Sequence, residues 1–581
     1  MVKVERPLKA NRLKYRVNMN VPENIEGADF VLDTETTGLK ILGDRPLWMG
    51  WRIGTNRWGV TRWTEELADW LNDNLPTANK VICHNWKYDG HMMIQGGVSP
   101  SVVDYVPAHC TMVGEQLLDE HRYSYALDAL GQELFKLGKV PGIDVSNIAN
   151  AKSLDIEQYA NRDTLITSQL FTRQIDEFRT QNLNPISSIE MEVVKVLMRM
   201  ERRGAPIFRD RAEKAIYAMR DAVDVADDDL WACVGYRTNP NSTPGLNLAM
   251  RILGLPELDS YDKEHLALLD HPVGQKILDY RQILVCQNSF VEKLSALLTA
   301  AGRIHCNINQ NKGDDGGTRT GRLSMNDPNL QQIPMRVTAI AKVVRYLFGQ
   351  LGWKWVSGDW SQFEYRIFGH FVGDDNVLEA YRNDPKTDFH QALANITGIV
   401  RNNAKRLNLS LVFGAGDGKT AKMLGLPCTE YKDDTHTRYK PGVEAQRLFA
   451  QYHERVPKTR PYLKASAQEA EAKGFIRSIY NRKIRFPDRS KAYKAGGLRF
   501  QSSAADIMKA KLIELDYELM RDGRGAELIL AIHDEFDAIC PDGEEERTAK
   551  TMKGVMENVP DLRLPVIADV SHGSDWWEAS S

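Results

Sequence analysis

The sequence predicts two folding units in one chain: an α/β unit over residues 1–187 and a larger α+β unit over residues 188–581. Three observations carry that expectation. Short apolar runs bounded by turn residues alternate with helical patterns as far as Thr180, as a layered α/β unit requires. Helical periodicity then dominates from Ile186, and strand-like runs return only late, at Trp353–Ser357 and Glu527–Ile532. Finally, 581 residues exceed what one hydrophobic core organises.

In chain order, residues 1–27 are polar and read as a lead-in arm. Ala28–Asp33, Leu47–Ile53, Arg57–Thr61 and Val81–Asn85 read as strands, with helices following. Asn182–Pro185 reads as a linker. Ile186–Arg203 is an amphipathic helix whose Lys195, Arg199, Arg202 and Arg203 suit either solvent or a nucleic-acid backbone. Asn239–Pro244 is a turn cluster, and Asn311–Gly317 is a loop rich in Gly and Asp. Asp388–Leu411 reads as largely helical, another helix covers about Gln501–Leu519, and Glu535–Ile539 returns as a strand beyond a polar tip.

Charged residues make up 26% of the chain and the net charge is −3, so the molecule is not uniformly basic. A nucleic-acid enzyme of this balance must segregate its charge, basic along phosphates and acidic around metals. The seven cysteines form no C-x-x-C pair, which predicts free thiols in a reducing, cytoplasmic setting. Lys3–Arg16 is basic without a following apolar run, so no signal peptide is expected. No apolar stretch is long enough to predict a membrane span.

Two groups of acids suggest chemistry. Asp33 and Glu35 are two apart at a strand end and so face the same side. Two carboxylates held together repel unless a cation lies between them. Asp89 follows a strand, and Asp163 lies one helical turn beyond Tyr159. Oxygen-only ligands suit Mg²⁺ or Mn²⁺ rather than zinc. The second group is Asp359, at the end of a strand, and Asp534, at a hairpin-like tip beside His533 and Glu535. Between them, Arg401, Lys405, Leu409 and Phe413 step by four residues. On a helix each such step drifts by about 40°. The result is a slanting stripe with two cations at one end and two apolar surfaces at the other, suited to a triphosphate and to a base or sugar.

Asp33-Thr34-Glu35-Thr36-Thr37-Gly38-Leu39, Asn85-Trp86-Lys87-Tyr88-Asp89 and Tyr159-Ala160-Asn161-Arg162-Asp163 together resemble the DEDDy 3′→5′ exonucleases, the proofreading domain of DNA polymerase I. The resemblance covers residues 27–185 and implies a ribonuclease H-like mixed sheet. It also implies that Asp33, Glu35, Asp89 and Asp163 ligate two metal ions while Tyr159 positions the attacking water. All five positions are filled, so an active exonuclease is expected.

Residues 188–581 resemble the polymerase domain of family A DNA polymerases. The match is carried by Thr318–Ser324, Asp327–Pro334, Asp359–Arg366, Arg401–Gly414, Gln501–Ile507 and Ile532–Glu535. The resemblance implies a right hand: thumb about 188–320, palm about 321–380 and 500–581, fingers about 381–499. By the same resemblance, Asp359, Asp534 and the Trp360 carbonyl bind two Mg²⁺, for which Mn²⁺ substitutes, with Glu535 secondary. Arg401, Lys405, His390 and Arg336 hold the triphosphate, and Glu364 is the gate against a ribose 2′-OH. Arg322, Gln501 and His533 contact DNA.

The chain departs from the family pattern at three positions. Leu409 stands where an aromatic is usual, Ser410 replaces a glycine, and Phe413 replaces a tyrosine.

The expected partners are primer–template DNA and deoxynucleoside triphosphates, with a helicase–primase or single-strand binding protein alongside. No membrane is expected, nor any 5′-nuclease domain or thioredoxin-binding insertion, and the chain is expected to be a monomer. Replication of a phage genome is the expected setting, with repair as the alternative. A nuclease whose C-terminal half only binds DNA would lack Asp359 or Asp534, and both are present. A decayed accessory subunit is disfavoured by intact acids at both sites.

Overall fold

The computed structural model describes residues 19–138, 140, 152–311, 318–334, 338–432 and 437–580. The first sheet contains β1 Asp29–Thr36, β2 Pro46–Ile53, β3 Arg57–Arg62, β4 Lys80–Cys83 and β5 Ala108–Cys110, in the order β3-β2-β1-β4-β5. β1–β3 pair antiparallel and β1, β4 and β5 pair parallel, so the sheet is mixed.

Strand alternation gives β1 two different faces. Phe30 and Leu32 enter a core with Trp51, Trp70 and Val81. Val31, on the opposite face, packs with Ile82 and with Phe171 of the long helix Ser153–Thr180. Asp33 and Glu35 share the Val31 face, so that helix covers them.

The second sheet is wholly antiparallel. Its strands run Glu527–Ile532, Glu535–Pro541, Trp353–Trp360 and Ala568–Gly573 from one edge to the other. Trp355 and Trp576 stack at 5.3 Å beneath it, with Phe348 edge-on to both.

Helix Asn184–Arg203 bridges the two units. Its Ile186, Met191, Val194 and Met198 belong to the first core. Its Val193, Val196, Leu197 and Met200 belong to the second. The expected linker shrinks to a break at Asn182, whose φ is +53°, and Pro185 opens the helix, where a missing N–H costs nothing. The expected boundary at 187/188 therefore lies within a helix that serves both cores.

The basic face of this helix neither lies in solvent nor is free to follow a duplex. Lys195 is buried and donates to the Asp104 carbonyl at 3.1 Å. Arg199 pairs with Asp104 and Asp516, Arg203 pairs with Asp516, and Arg202 donates to Gln95. Amphipathic spacing could not reveal this, because the carboxylate partners come from distant sequence.

Both expected helical stretches form, and the structure adds detail to each. Asp388–Leu411 is two helices, Phe389–Thr397 and Arg401–Val412, parted by Gly398 at φ +72°. The helix expected at Gln501 begins earlier, at Ala495, and runs through Gly496 and Gly497. A Cβ at Gly497 would stand 2.8 Å from the Phe413 ring, so this glycine allows close packing rather than ending a helix.

Asp516 is fully buried between Arg199 and Arg203. Asp516→Ala leaves two half-buried guanidinium groups short of a carboxylate, Arg199 keeping Asp104, and should lower unfolding stability by about 2–4 kcal/mol. Denaturant titration would read this, and a loss below about 1 kcal/mol would mean that water replaces the carboxylate.

Candidate active sites

The first site lies where β1 leaves the sheet. Asp33, Glu35 and Asp163 bring one carboxylate oxygen each to within 4.8 Å of one another. Gly50 makes this possible. It pairs with Asp33 across β1 and β2, and a Cβ there would lie 3.0 Å from the Ala160 Cβ and 3.2 Å from the Thr164 methyl. Without a side chain at position 50, helix Ser153–Thr180 can approach the sheet and deliver Asp163. Tyr159 is buried one turn earlier on the same helix.

Asp89, in the first turn of helix Trp86–Gln95, stands beside this trio. Its Oδ1 accepts from the Thr34 N–H at 3.1 Å and from the Thr34 hydroxyl at 2.7 Å, between Asp33 and Glu35 in sequence. Burial pushes the Asp89 carboxyl up to about 7 against the pull of those bonds. Tyr88 donates to the Gly38 carbonyl at 2.6 Å, closing the strand end from the other side. Three of the four expected ligands thus converge directly, and Asp89 is tied to them through Thr34.

The second site is built on the second sheet. Asp359 ends its strand opposite Glu535 on one side and Asp569 on the other. Asp534 sits in the hairpin turn after His533, which adopts φ +56°. The Trp360 N–H donates to the Asp534 carbonyl at 3.3 Å, joining the two catalytic candidates by backbone. Close packing, then Asp534, Glu535 and Asp569, push the Asp359 carboxyl up to about 7, although its side chain still reaches solvent. Burial also raises Asp534, and Arg322 and Lys405 oppose it. A cation placed among such acids favours their ionised form.

Its members do not have equal roles. Glu535 is buried, and its Oε1 accepts from Ser357 at 2.9 Å, Trp576 at 3.0 Å and Arg345 at 3.4 Å. Those contacts direct it toward the protein interior. The Trp360 indole stacks on Phe363 at 4.5 Å and donates to the Met556 carbonyl, so a ligand role for this residue falls to its backbone oxygen. Asp569 was missed by motif reasoning; its signal was its place in a late strand, but the pairing with Asp359 is tertiary.

Glu364 begins helix Phe363–Val372 and pairs with Arg322. Burial raises its carboxyl, and Arg322 opposes the rise. Gln362, just before it, has φ +53° and is stapled in place. Its amide accepts from Tyr381 at 3.1 Å and the Phe389 N–H at 3.2 Å, and donates to the Thr387 carbonyl at 3.1 Å. A non-glycine residue in that conformation costs about 1 kcal/mol or more, which those bonds offset.

The stripe on helix Arg401–Val412 forms with Arg401 and Lys405 exposed and Leu409 part-buried, and Phe413 caps its C-terminus, also part-buried. Arg401 pairs with Asp388 at 2.6 Å. His390 lies inward of the stripe. Burial lowers it to about 4, so it is neutral, and the Asn408 amide donates to its Nδ1 at 2.8 Å. The ring proton therefore sits on Nε2. Gln501 is half-buried on helix Ala495–Asp522, and His533 is exposed. Arg336 lies outside the described residues.

A family model described as DNA polymerase family A matches residues 210–578. DNA polymerase DpoZ of Acinetobacter phage SH-Ab 15497 is 31% identical over 88% of this chain and 90% of its own length. DNA polymerase DpoZ of Salmonella phage PMBT28 is 30% identical over 95% of this chain and 97% of its own. DNA polymerase I of Treponema pallidum is 26% identical over 85% of this chain and 51% of its own. The fold is similar to the polymerase domain of Pol1 from M. smegmatis, solved with DNA primer–template and dNTP. The TM-score is 0.80 at 21% identity, covering 96% of this chain and 97% of that one.

Burial of the Asp89 carboxyl makes stability depend on pH. Its folded value near 7 exceeds the unfolded value near 4, so its contribution is full below about pH 4 and is lost as pH rises through 7. Without divalent metal, the stability of Asp89→Asn relative to the parent should therefore improve from pH 4 to pH 7. Chemical denaturation at several pH values measures the difference, and a flat difference would mean that Asp89 ionises normally.

Proposed function

The chain belongs to DNA polymerase family A, and from that premise we propose that it extends a primer under template direction and also trims 3′ ends at a separate site. DNA polymerase activity, a nucleotidyl transfer, follows from the family. The residue roles, the second activity and the metal count are our reading. The observation that carries it is the convergence of Asp359 and Asp534 beside the Arg322–Glu364 pair.

Family A polymerases use divalent metals, and both acid groups fit them. The donors are all oxygen, and their mutual repulsion is what a cation relieves. When bound, two Mg²⁺ at each site would lower the pKa of an attacking oxygen and neutralise phosphate charge.

The remaining work falls to this chain's own groups. Arg401 and Lys405 hold the triphosphate by charge, and the His390 Nε2–H donates to it. Leu409 and Phe413 pack on the base and sugar, with the dispersion contact of leucine in place of an aromatic face. The Glu364 carboxylate occupies the space a ribose 2′-OH would need. Arg322 and Gln501 reach acceptors in the minor groove that all base pairs share.

At the first site Asp33, Glu35, Asp89 and Asp163 form the metal cradle, and Tyr159 orients the hydrolytic water. The relatives from Acinetobacter and Salmonella phages favour work on a phage genome, with a helicase–primase as the expected companion.

Primer extension and 3′-end trimming, assayed side by side, test the whole reading. Asp33→Ala with Glu35→Ala should abolish trimming and leave extension within about twofold, because the two acid sets are separate. Collapse of extension in the folded double variant would sink the two-site reading.

Glu364→Ala should raise the ratio of ribo- to deoxynucleotide incorporation by at least about tenfold, the equivalent of about 1.4 kcal/mol of lost exclusion. Competition between paired nucleotides reads the ratio. No change would place sugar selection elsewhere.

A further inference from the structure

Two of the motif segments quoted for the polymerase, Thr318–Ser324 and Gln501–Ile507, meet over a buried charge network that no step above uses. Glu190, Arg482, Asp506 and Lys509 are all buried, two acids and two bases, so their formal charges cancel. Glu190 takes Arg482 and, at 2.7 Å, Lys509. The Arg482 Nε donates to Asp506 at 2.7 Å, and Ser478 closes the group by donating to Asp506 at 2.5 Å. The carboxylates come from the bridging helix and from helix Ala495–Asp522; Arg482 follows the turn at Asn481.

The Arg482 guanidinium forms the floor under Gly321. A Cβ on Gly321 would lie 2.8 Å from the guanidinium carbon, and Gly321 has φ +84°, where only glycine is unstrained. A long side chain could ordinarily move aside. Arg482 cannot, because carboxylates hold its fork at two nitrogens. The next residue is Arg322, whose guanidinium pairs with Glu364 and whose carbonyl accepts from Thr318 at 3.0 Å. Gln310, at the other end of the same chain segment, is tied to Glu190 as well. Hydrophobic residues could fill this volume at lower desolvation cost, whereas a paired fork also fixes a height and an orientation.

We propose that Arg482 is a positioning residue for nucleotide insertion: held by Glu190 and Asp506, it seats Gly321 and thereby aims Arg322 at Glu364 and the primer end. This rests on the reading of Arg322 as a substrate-side contact, and the test separates the two.

Arg482→Lys keeps the charge and loses the fork. Gly321→Ala disturbs the seat from the opposite side. Each should reduce kcat/KM for correct nucleotide insertion five- to fiftyfold, short of the roughly hundredfold that a 1 Å misplacement can cost. Both variants should also lower the melting temperature, so insertion is compared well below each transition, where duplex binding should change little.

The deciding measurement is a double-mutant cycle with Arg322→Ala in single-turnover insertion. If Arg482 acts through Arg322, adding Arg482→Lys to Arg322→Ala costs less than about twofold more. Multiplicative losses, or no loss from either seat variant, would overturn the proposal. If Arg322→Ala alone has no effect, the reading of Arg322 fails first and the proposal falls with it. Should Arg482→Lys fail to fold, Gly321→Ala, which leaves all four charges in place, completes the same cycle.

Discussion

Buried carboxylates on one helix are the constraint on which the rest of this structure depends. Helix Asn184–Arg203 carries Glu190 and Glu201 into the interior, where neither could remain ionised alone. Glu201 is satisfied from the first unit by Lys87 and His91 and from the second by the Ile308 N–H. Lys87 and His91 flank Asp89 on its helix, so the bonds that neutralise Glu201 also locate a candidate metal ligand. Glu190 is satisfied wholly from the second unit, by Arg482, Lys509 and Gln310. Arg199 and Arg203 add the reverse arrangement, with Asp516 as the buried anion. Charges in such a network must find every partner at once, so the two units are set in one relation by a condition stricter than hydrophobic contact.

At each candidate site the folding problem is inverted. Acids are gathered where their repulsion and desolvation oppose ionisation, and Asp89 and Asp359 both rise to about 7. The fold sustains this with local devices that contribute nothing to the chemistry. Gly50 lets a helix descend onto the sheet, Thr34 binds Asp89, and Gln362 holds a left-handed turn next to Glu364. A cation between such carboxylates would relieve their repulsion.

The sequence was most legible where chemistry is local. Asp33 and Glu35 on one strand face, Tyr159 and Asp163 one helical turn apart, and the four-residue stripe from Arg401 to Phe413 follow from period and residue type alone. Those residues were readable because the geometry that joins them is that of a single element. Single strands such as Ala28–Asp33 and Glu527–Ile532 were legible for the same reason, whereas the mixed first sheet was implied only by the family resemblance and the four-strand pairing of the second came from the structure.

What the sequence by itself determined is which residue types are available and which face of its own strand or helix each one occupies. What only the tertiary structure decided is which faces meet. The basic face of helix Asn184–Arg203 looked fit for a nucleic-acid backbone, yet Asp104 and Asp516 claim it from 95 and 317 residues away. Asp569 acquires its place beside Asp359 by strand pairing, and Arg482 its place beneath Gly321 through acids on two other helices. The physical reason is common to all three. An unpartnered charge is indifferent in sequence, and its meaning depends on whether folding surrounds it with water or with an opposite charge.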